Sequence, residues 1–255
     1  AKAQCNLGMM YYNGQGVEQD NKRAVELYTL AADQGYAQAQ FNLGALYYLG
    51  EGGVEKDIKH TIELYTLSAN QGYADAQVML GTLYTDGQGV VEKDDTYAVE
   101  LFSLAADQGH SQAQNNLAHM YDNGLGVEKD VKHAVELYTL AANQGQEEAQ
   151  YNLGGAYAMG RGVEQDFKRA FKFFELSADQ GHAEAQFSLG AMYGNGDGVK
   201  QDYKRAVKWY TLAATIFSAF TSTVRTAAAK IRTATTPTIT TTVTCADSTT
   251  SKSSV

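Results

Sequence analysis

The side chains best suited to chemistry are few, and their spacing decides what they could do. Five histidines occur, His60, His110, His119, His133 and His182, with two cysteines, Cys5 and Cys245. A metal site or a nucleophile–base pair needs such groups to converge from fixed spacings. Here His60 and His133 fill the slot that Arg23, Arg169 and Arg205 hold in equivalent segments, and His110 and His182 fill that of Tyr36, Tyr73 and Gln146. Slots that accept such exchange hold neither a metal nor a catalytic proton. The Gly-x-Gly turns lack the third glycine and preceding strand of a dinucleotide fingerprint. Asn195-Gly196-Asp197-Gly198 lacks the acidic spacing of a calcium loop. The sequence therefore predicts no enzyme, no metal and no cofactor. What remains is recognition chemistry, carried by asparagines and aromatics that recur at a fixed interval.

That interval is set by the tripeptide Ala-x-Ala-Gln and its variants, which start at Ala1, Ala37, Ala74, Ser111, Glu147 and Ala183. The steps are 36, 37, 37, 36 and 36 residues, and the two longer units each take their extra residue in one loop, at Gly50-Glu51-Gly52-Gly53 and Val90-Val91. Self-similarity at this period marks a repeat architecture. The first helix of each unit, helix A, keeps alanine at its third position, leucine at its seventh (Leu7, Leu43, Leu80, Leu117, Leu153, Leu189) and tyrosine at its eleventh (Tyr11, Tyr47, Tyr84, Tyr121, Tyr157, Tyr193). Spacing by four lays these on one helical face. Position eight is glycine in five units and Ala118 in the fourth, which implies close approach of a partner helix.

Gly-x-Gly-Val then makes a turn whose valine can plug the gap between helices, and an aspartate (Asp20, Asp57, Asp94, Asp130, Asp166, Asp202) is placed to cap the next helix. Helix B carries Ala24, Leu27 and Leu30-Ala31 at helical spacing and stops at Asp33-Gln34-Gly35. Lys22 and Glu26, with their counterparts, are spaced for surface pairing on a solvated face. One such hairpin cannot bury its apolar face alone, but a stack can.

The string Ala-x-Ala-Gln-x-x-Leu-Gly-x-x-Tyr, Gly-x-Gly-Val-x-x-Asp, Ala-x-x-x-Tyr-x-x-Ala-Ala-x-Gln-Gly resembles the Sel-one-like repeat, a relative of the tetratricopeptide repeat. The resemblance covers six units, 1–36, 37–73, 74–110, 111–146, 147–182 and 183–214. It implies an all-α fold, an α/α right-handed superhelical solenoid of about six two-helix repeats. It also implies a non-enzymatic scaffold or adaptor that holds a protein or peptide ligand. Some secreted bacterial relatives are described as penicillin-binding or β-lactam-hydrolysing and bear a cysteine pair in each repeat, which is the alternative function; here the repeats hold Cys5 alone.

Positions two, five, six, nine, twelve and thirteen of helix A vary and form a stripe opposite the Ala-Leu-Tyr face. In a tetratricopeptide-like arrangement that stripe lines the concave groove. The expected partner-binding residues are Phe41, Asn42, Tyr48, Asn115, Asn116, His119, Tyr151, Asn152 and Phe187. Asparagine both donates to and accepts from main-chain amides, and aromatics add contact area at modest entropy cost.

The formal charge is −9. The segment from Thr215 onward is basic, with Arg225, Lys230, Arg232 and Lys252 against Asp247, so the repeats are more acidic than the whole. Nucleic acid is therefore not an expected partner, because phosphate contacts need clustered Lys and Arg. No apolar run reaches transmembrane length. The chain starts inside a repeat, so it is expected to belong to a longer chain or complex. Cytoplasm, endoplasmic reticulum lumen and bacterial envelope all stay open. Phe217, Phe220, Val224, Ala227 and Ile231 predict a capping helix over 215–232, and the Ser/Thr-rich stretch 233–255 predicts a disordered tail.

Overall fold

The computed structural model describes residues 1–87 and 92–215. Ala1–Ala213 form one compact unit, which is the body described below. The expected capping helix and tail lie outside the described residues, apart from Thr215 itself. The elements alternate as helix A and helix B: α1 (Lys2–Asn13), α2 (Asn21–Ala32), α3 (Ala37–Leu49), α4 (Ile58–Ala69), α5 (Ala74–Asp86), α6 (Asp95–Asp107), α7 (Ser111–Asn123), α8 (Val131–Asn143), α9 (Glu147–Met159), α10 (Phe167–Asp179) and α11 (Ala183–Asn195). A further helix runs over 203–215, and no strand occurs among the described residues. Each A helix packs on its own B helix, and each B helix on the next A helix, so the fold is an all-α solenoid of six two-helix units.

The local chemistry follows the repeat. Every A helix ends at a glycine with φ between 61° and 84° (Gly14, Gly50, Gly87, Gly124, Gly160, Gly196). That left-handed geometry closes the last turn at no steric cost. The aspartate then caps helix B: the Asp57 carboxylate accepts from the His60 amide at 3.0 Å, and Asp166 accepts from both Lys168 and Arg169. The aspartate amide also donates back to the tyrosine carbonyl at position eleven, as Asp130 does to Tyr121 at 3.0 Å. The turn valines, such as Val54 and Val163, pack partly buried against the core between the helices.

Two structural devices explain residues that recur along the stack. The helix-A glycine lies under a helix-B ring: a Cβ on Gly44 or Gly154 would stand 2.8 Å from Tyr65 or Phe174. The glutamine of Ala-x-Ala-Gln is buried in units two to six, and in the interior it closes a relay. Gln77 Nε2 donates to the Ala69 carbonyl at the end of the preceding helix B, while its Oε1 accepts from Gln108 of its own unit at 2.9 Å. Gln150 repeats this between Ala142 and Gln180. The relay supplies partners for polar groups that would otherwise be buried unpaired.

Two sequence expectations change. Position ten joins the core, with Leu46, Leu83, Met120, Ala156 and Met192 all buried, while the tyrosines at position eleven are mostly only half-buried. The surface pairs on helix B run three residues apart, not four. Arg23 meets Glu26 at 2.6 Å, His60 meets Glu63 at 3.3 Å and His133 meets Glu136 at 3.2 Å.

Candidate functional site

The variable stripe of helix A divides between neighbour contacts and open surface. At position six, Asn42 donates to Cys5 Sγ at 3.8 Å and Asn152 donates to Asn115 Oδ1 at 3.1 Å. Each bond joins one A helix to the preceding one. Both asparagines remain half-exposed, while Cys5 and Asn115 are buried. Burial raises the Cys5 thiol pKa, and the Asn42 bond opposes that only in part. A raised thiol is a poor nucleophile.

Position five holds rings that cover the helix-B aromatic. Phe41 stacks on Tyr65 with centroids 5.4 Å apart, and Tyr151 lies 5.7 Å from Phe174 and stacks on His182 at 4.7 Å. Both are half-buried; Phe187, 5.2 Å from Tyr210, is exposed. Asn116 accepts from Gln112 on its own helix and stays half-exposed, and His119 is exposed. His110 and His182 instead cap A helices, each accepting a backbone amide at 3.3 Å. Among the described residues no three His, Cys, Asp or Glu side chains gather as a metal site would require.

At position twelve, Tyr12 and Asp122 reach across to the turn of the next unit. Tyr12 donates to Glu51 at 3.2 Å, and the buried Asp122 pairs with Arg161. Tyr48 carries the Lys56 ammonium 5.2 Å over its ring. Part of the variation along this stripe is therefore complementarity between neighbouring units.

Two cavities open on the same stripe. One, of about 260 Å³, lies between α1 and α3 and is walled by Met9, Tyr12, Asn42, Ala45, Leu46 and Leu49. The other, of about 360 Å³, lies between α5 and α7 and presents Thr82, Thr85, Asn116 and His119, with Asp86 and Glu148 at its edges. The first is mostly apolar and the second mixed, with Lys93, Phe102, Met120 and Leu125 also lining it. Of the expected residues, Asn42 enters the first cavity, and Asn115, Asn116 and His119 the second. Met9, Leu49 and Thr82 were not singled out from sequence, although positions nine and thirteen belong to the varying stripe, while Thr85 is one of its position-twelve residues.

Known proteins place the chain in context. The family model described as Sel1 repeat matches residues 1–36, 37–73, 74–110, 111–146, 147–182 and 183–215. A Sel1 repeat protein from Oxalobacter formigenes is 33% identical with a TM-score of 0.76, over 83% of this chain and 84% of that one. A protective antigen of uropathogenic Escherichia coli with an SLR fold is 36% identical with a TM-score of 0.77, over 84% of this chain and 45% of that one. A 46-residue segment is 50% identical to the ERAD-associated E3 ubiquitin-protein ligase component HRD3B of Arabidopsis thaliana, which is 18% of this chain and 8% of that relative.

Proposed function

The chain belongs to the Sel1 repeat family, whose members typically mediate protein–protein interaction, and from that premise we propose that it is a non-enzymatic scaffold that holds an extended peptide along the helix-A stripe. The observation that carries the reading is the pair of cavities between successive A helices, one mostly apolar and one mixed, on a single face. Ligand sites combine apolar walls with a few convergent polar groups. The 260 Å³ cavity has that make-up, with Met9, Leu46 and Leu49 as walls and the Asn42 amide at its side. It suits one apolar side chain of the ligand. The second cavity suits a hydrogen-bonding side chain farther along the same segment, since Thr82, Asn116, His119 and Glu148 line it.

The test is a selection of random displayed peptides on the purified chain, followed by affinity measurement. Selected peptides should bind the parent and bind at least about tenfold more weakly to a triple Asn42→Ala, Asn116→Ala, Asn152→Ala variant, the loss of a few buried hydrogen bonds. Equal affinity in a variant that melts like the parent would remove the helix-A face from the proposal.

A further inference from the structure

Position thirty of the unit is leucine in all six copies: Leu30, Leu67, Leu104, Leu140, Leu176 and Leu212. Its sequence spacing groups it with Leu27 and Ala31 as core. The structure separates them. Leu27, Leu64, Leu101 and Leu137 are buried, whereas Leu30, Leu67, Leu104 and Leu140 are 52%, 52%, 54% and 52% exposed. The first unit, with no described unit before it, gives the same exposure as the next three, so a preceding unit does not cover this side chain. Singly exposed leucines need no explanation, but a row kept in every unit does. Helix propensity does not require it, because alanine, glutamate or lysine would serve as well on a wet face.

The row has defined flanks. Residues four before and three after each leucine share its helix face. Four before stand Glu26, Glu63, Glu100 and Glu136, all exposed. Three after stand Asp33, Asp107 and Asp179, also exposed, with Asn70, Asn143 and Thr215 in the other three units. Over the first four units the apolar row thus runs beside a row of glutamates, with an aspartate on its other side in the first and third. Glu26 is already paired with Arg23 at 2.6 Å, whereas Glu63 and Glu136 meet histidines. The fifth and sixth units substitute Lys172 and Lys208 for the glutamate, and their leucines are the least exposed of the row, Leu176 at 41% and Leu212 at 38%.

We infer that this leucine row is a second docking surface, separate from the helix-A stripe, for a protein segment that presents apolar side chains flanked by lysine or arginine. Charge complementarity selects that occupant. A second copy laid over the first four units would bring glutamates against the same acidic residues, and an anionic lipid surface would be repelled in the same way.

The experiment uses the whole chain and a synthetic leucine–lysine amphipathic helical peptide, with a leucine–glutamate peptide as control. The lysine peptide should bind, its affinity should fall as salt rises, and the glutamate peptide should not bind. A Leu67→Ser, Leu104→Ser, Leu140→Ser variant keeps every charge and should bind at least about tenfold more weakly, from the apolar area it no longer covers. The Asn42, Asn116 and Asn152 variant should bind the lysine peptide as the parent does, which separates this surface from the helix-A stripe. No binding of the lysine peptide, or equal binding by the leucine variant, would overturn the inference. So would leucine-dependent self-association in sedimentation, or capture by phosphatidylserine vesicles.

Discussion

The second glycine of each turn offers a test of how the units are joined. Gly162 has φ 70°, and a Cβ there would stand 2.6 Å from the carbonyl oxygen of Val131 and 2.9 Å from its carbon, at the start of the preceding helix B. Gly16 has nearly the same backbone, φ 73°, but nothing nearer than the Met10 methyl at 3.7 Å. Replacing each with alanine separates backbone strain from contact between units. An L-residue in the left-handed region costs roughly 1–2 kcal/mol, and the less flexible unfolded chain offsets about 0.4–1 kcal/mol of that. Gly16→Ala should therefore destabilise by about 1 kcal/mol. Gly162→Ala adds an overpacking cost of about 1–3 kcal/mol, because the atom in the way is backbone and only separation of units four and five relieves it. The total is about 2–4 kcal/mol, drawn from the same two principles. Urea unfolding followed by far-ultraviolet circular dichroism reads the difference as a lower midpoint. Gly162→Ala should also lower the slope, since a weakened junction lets the two halves of a repeat array unfold apart. Equal midpoints and slopes for the two variants would refute the claim that this glycine is a contact between units.

Two further outcomes follow from buried polar groups. Arg161→Ala should cost about 1–2 kcal/mol by stranding the buried Asp122 carboxylate, at the low end because Arg161 is itself half-exposed. Adding Asp122→Ala should restore most of that loss, whereas additive losses in a double-variant cycle would mean that the two groups are not coupled. Burial raises the pKa of Tyr28, Tyr65 and Tyr138, and it is the largest cause for Tyr73, pushed up to about 12 with help from Asp75. A folded value above the unfolded one means stability is complete below about pH 10 and is lost as pH rises past it, because the unfolded chain releases those protons first. Tyrosinate absorbance should therefore rise together with loss of helix on alkaline titration. Ionisation of these rings in a fully helical chain would contradict their burial.

The repeat made the hairpins legible because each boundary is set within a few residues. Asp57 caps the helix it precedes, Gly50 ends the helix it follows, and Gly44 marks the place of an aromatic even before that ring is identified as Tyr65. Contacts between units were less legible. A residue such as Asp122 or Tyr12 varies from copy to copy, and variation alone reads as freedom to recognise a ligand. The structure ties Asp122 to Arg161 and Tyr12 to Glu51, each partner one unit away. Their variation is paired, and a pair 39 residues apart leaves no mark on the periodicity of a single helix.

The converse holds for the leucines. Invariance among the copies reads as architecture, and helical spacing put Leu30 beside Leu27 on an apolar stripe. A helix buries a stripe of limited width, and helix B already fills it with Ala24, Leu27, Tyr28 and Ala31. A residue at the stripe's margin is covered only if a neighbouring element reaches it, which depends on the tilt between helices and not on either helix's own pattern. In this stack none does, so an invariant leucine stands half in water in one unit after another. Two positions three residues apart, with one residue type and one periodicity, therefore have different physical roles. Leu27 is held by the core, while Leu30 is free to be substituted with little cost to folding, which is what makes the serine variant a clean probe of the outer surface.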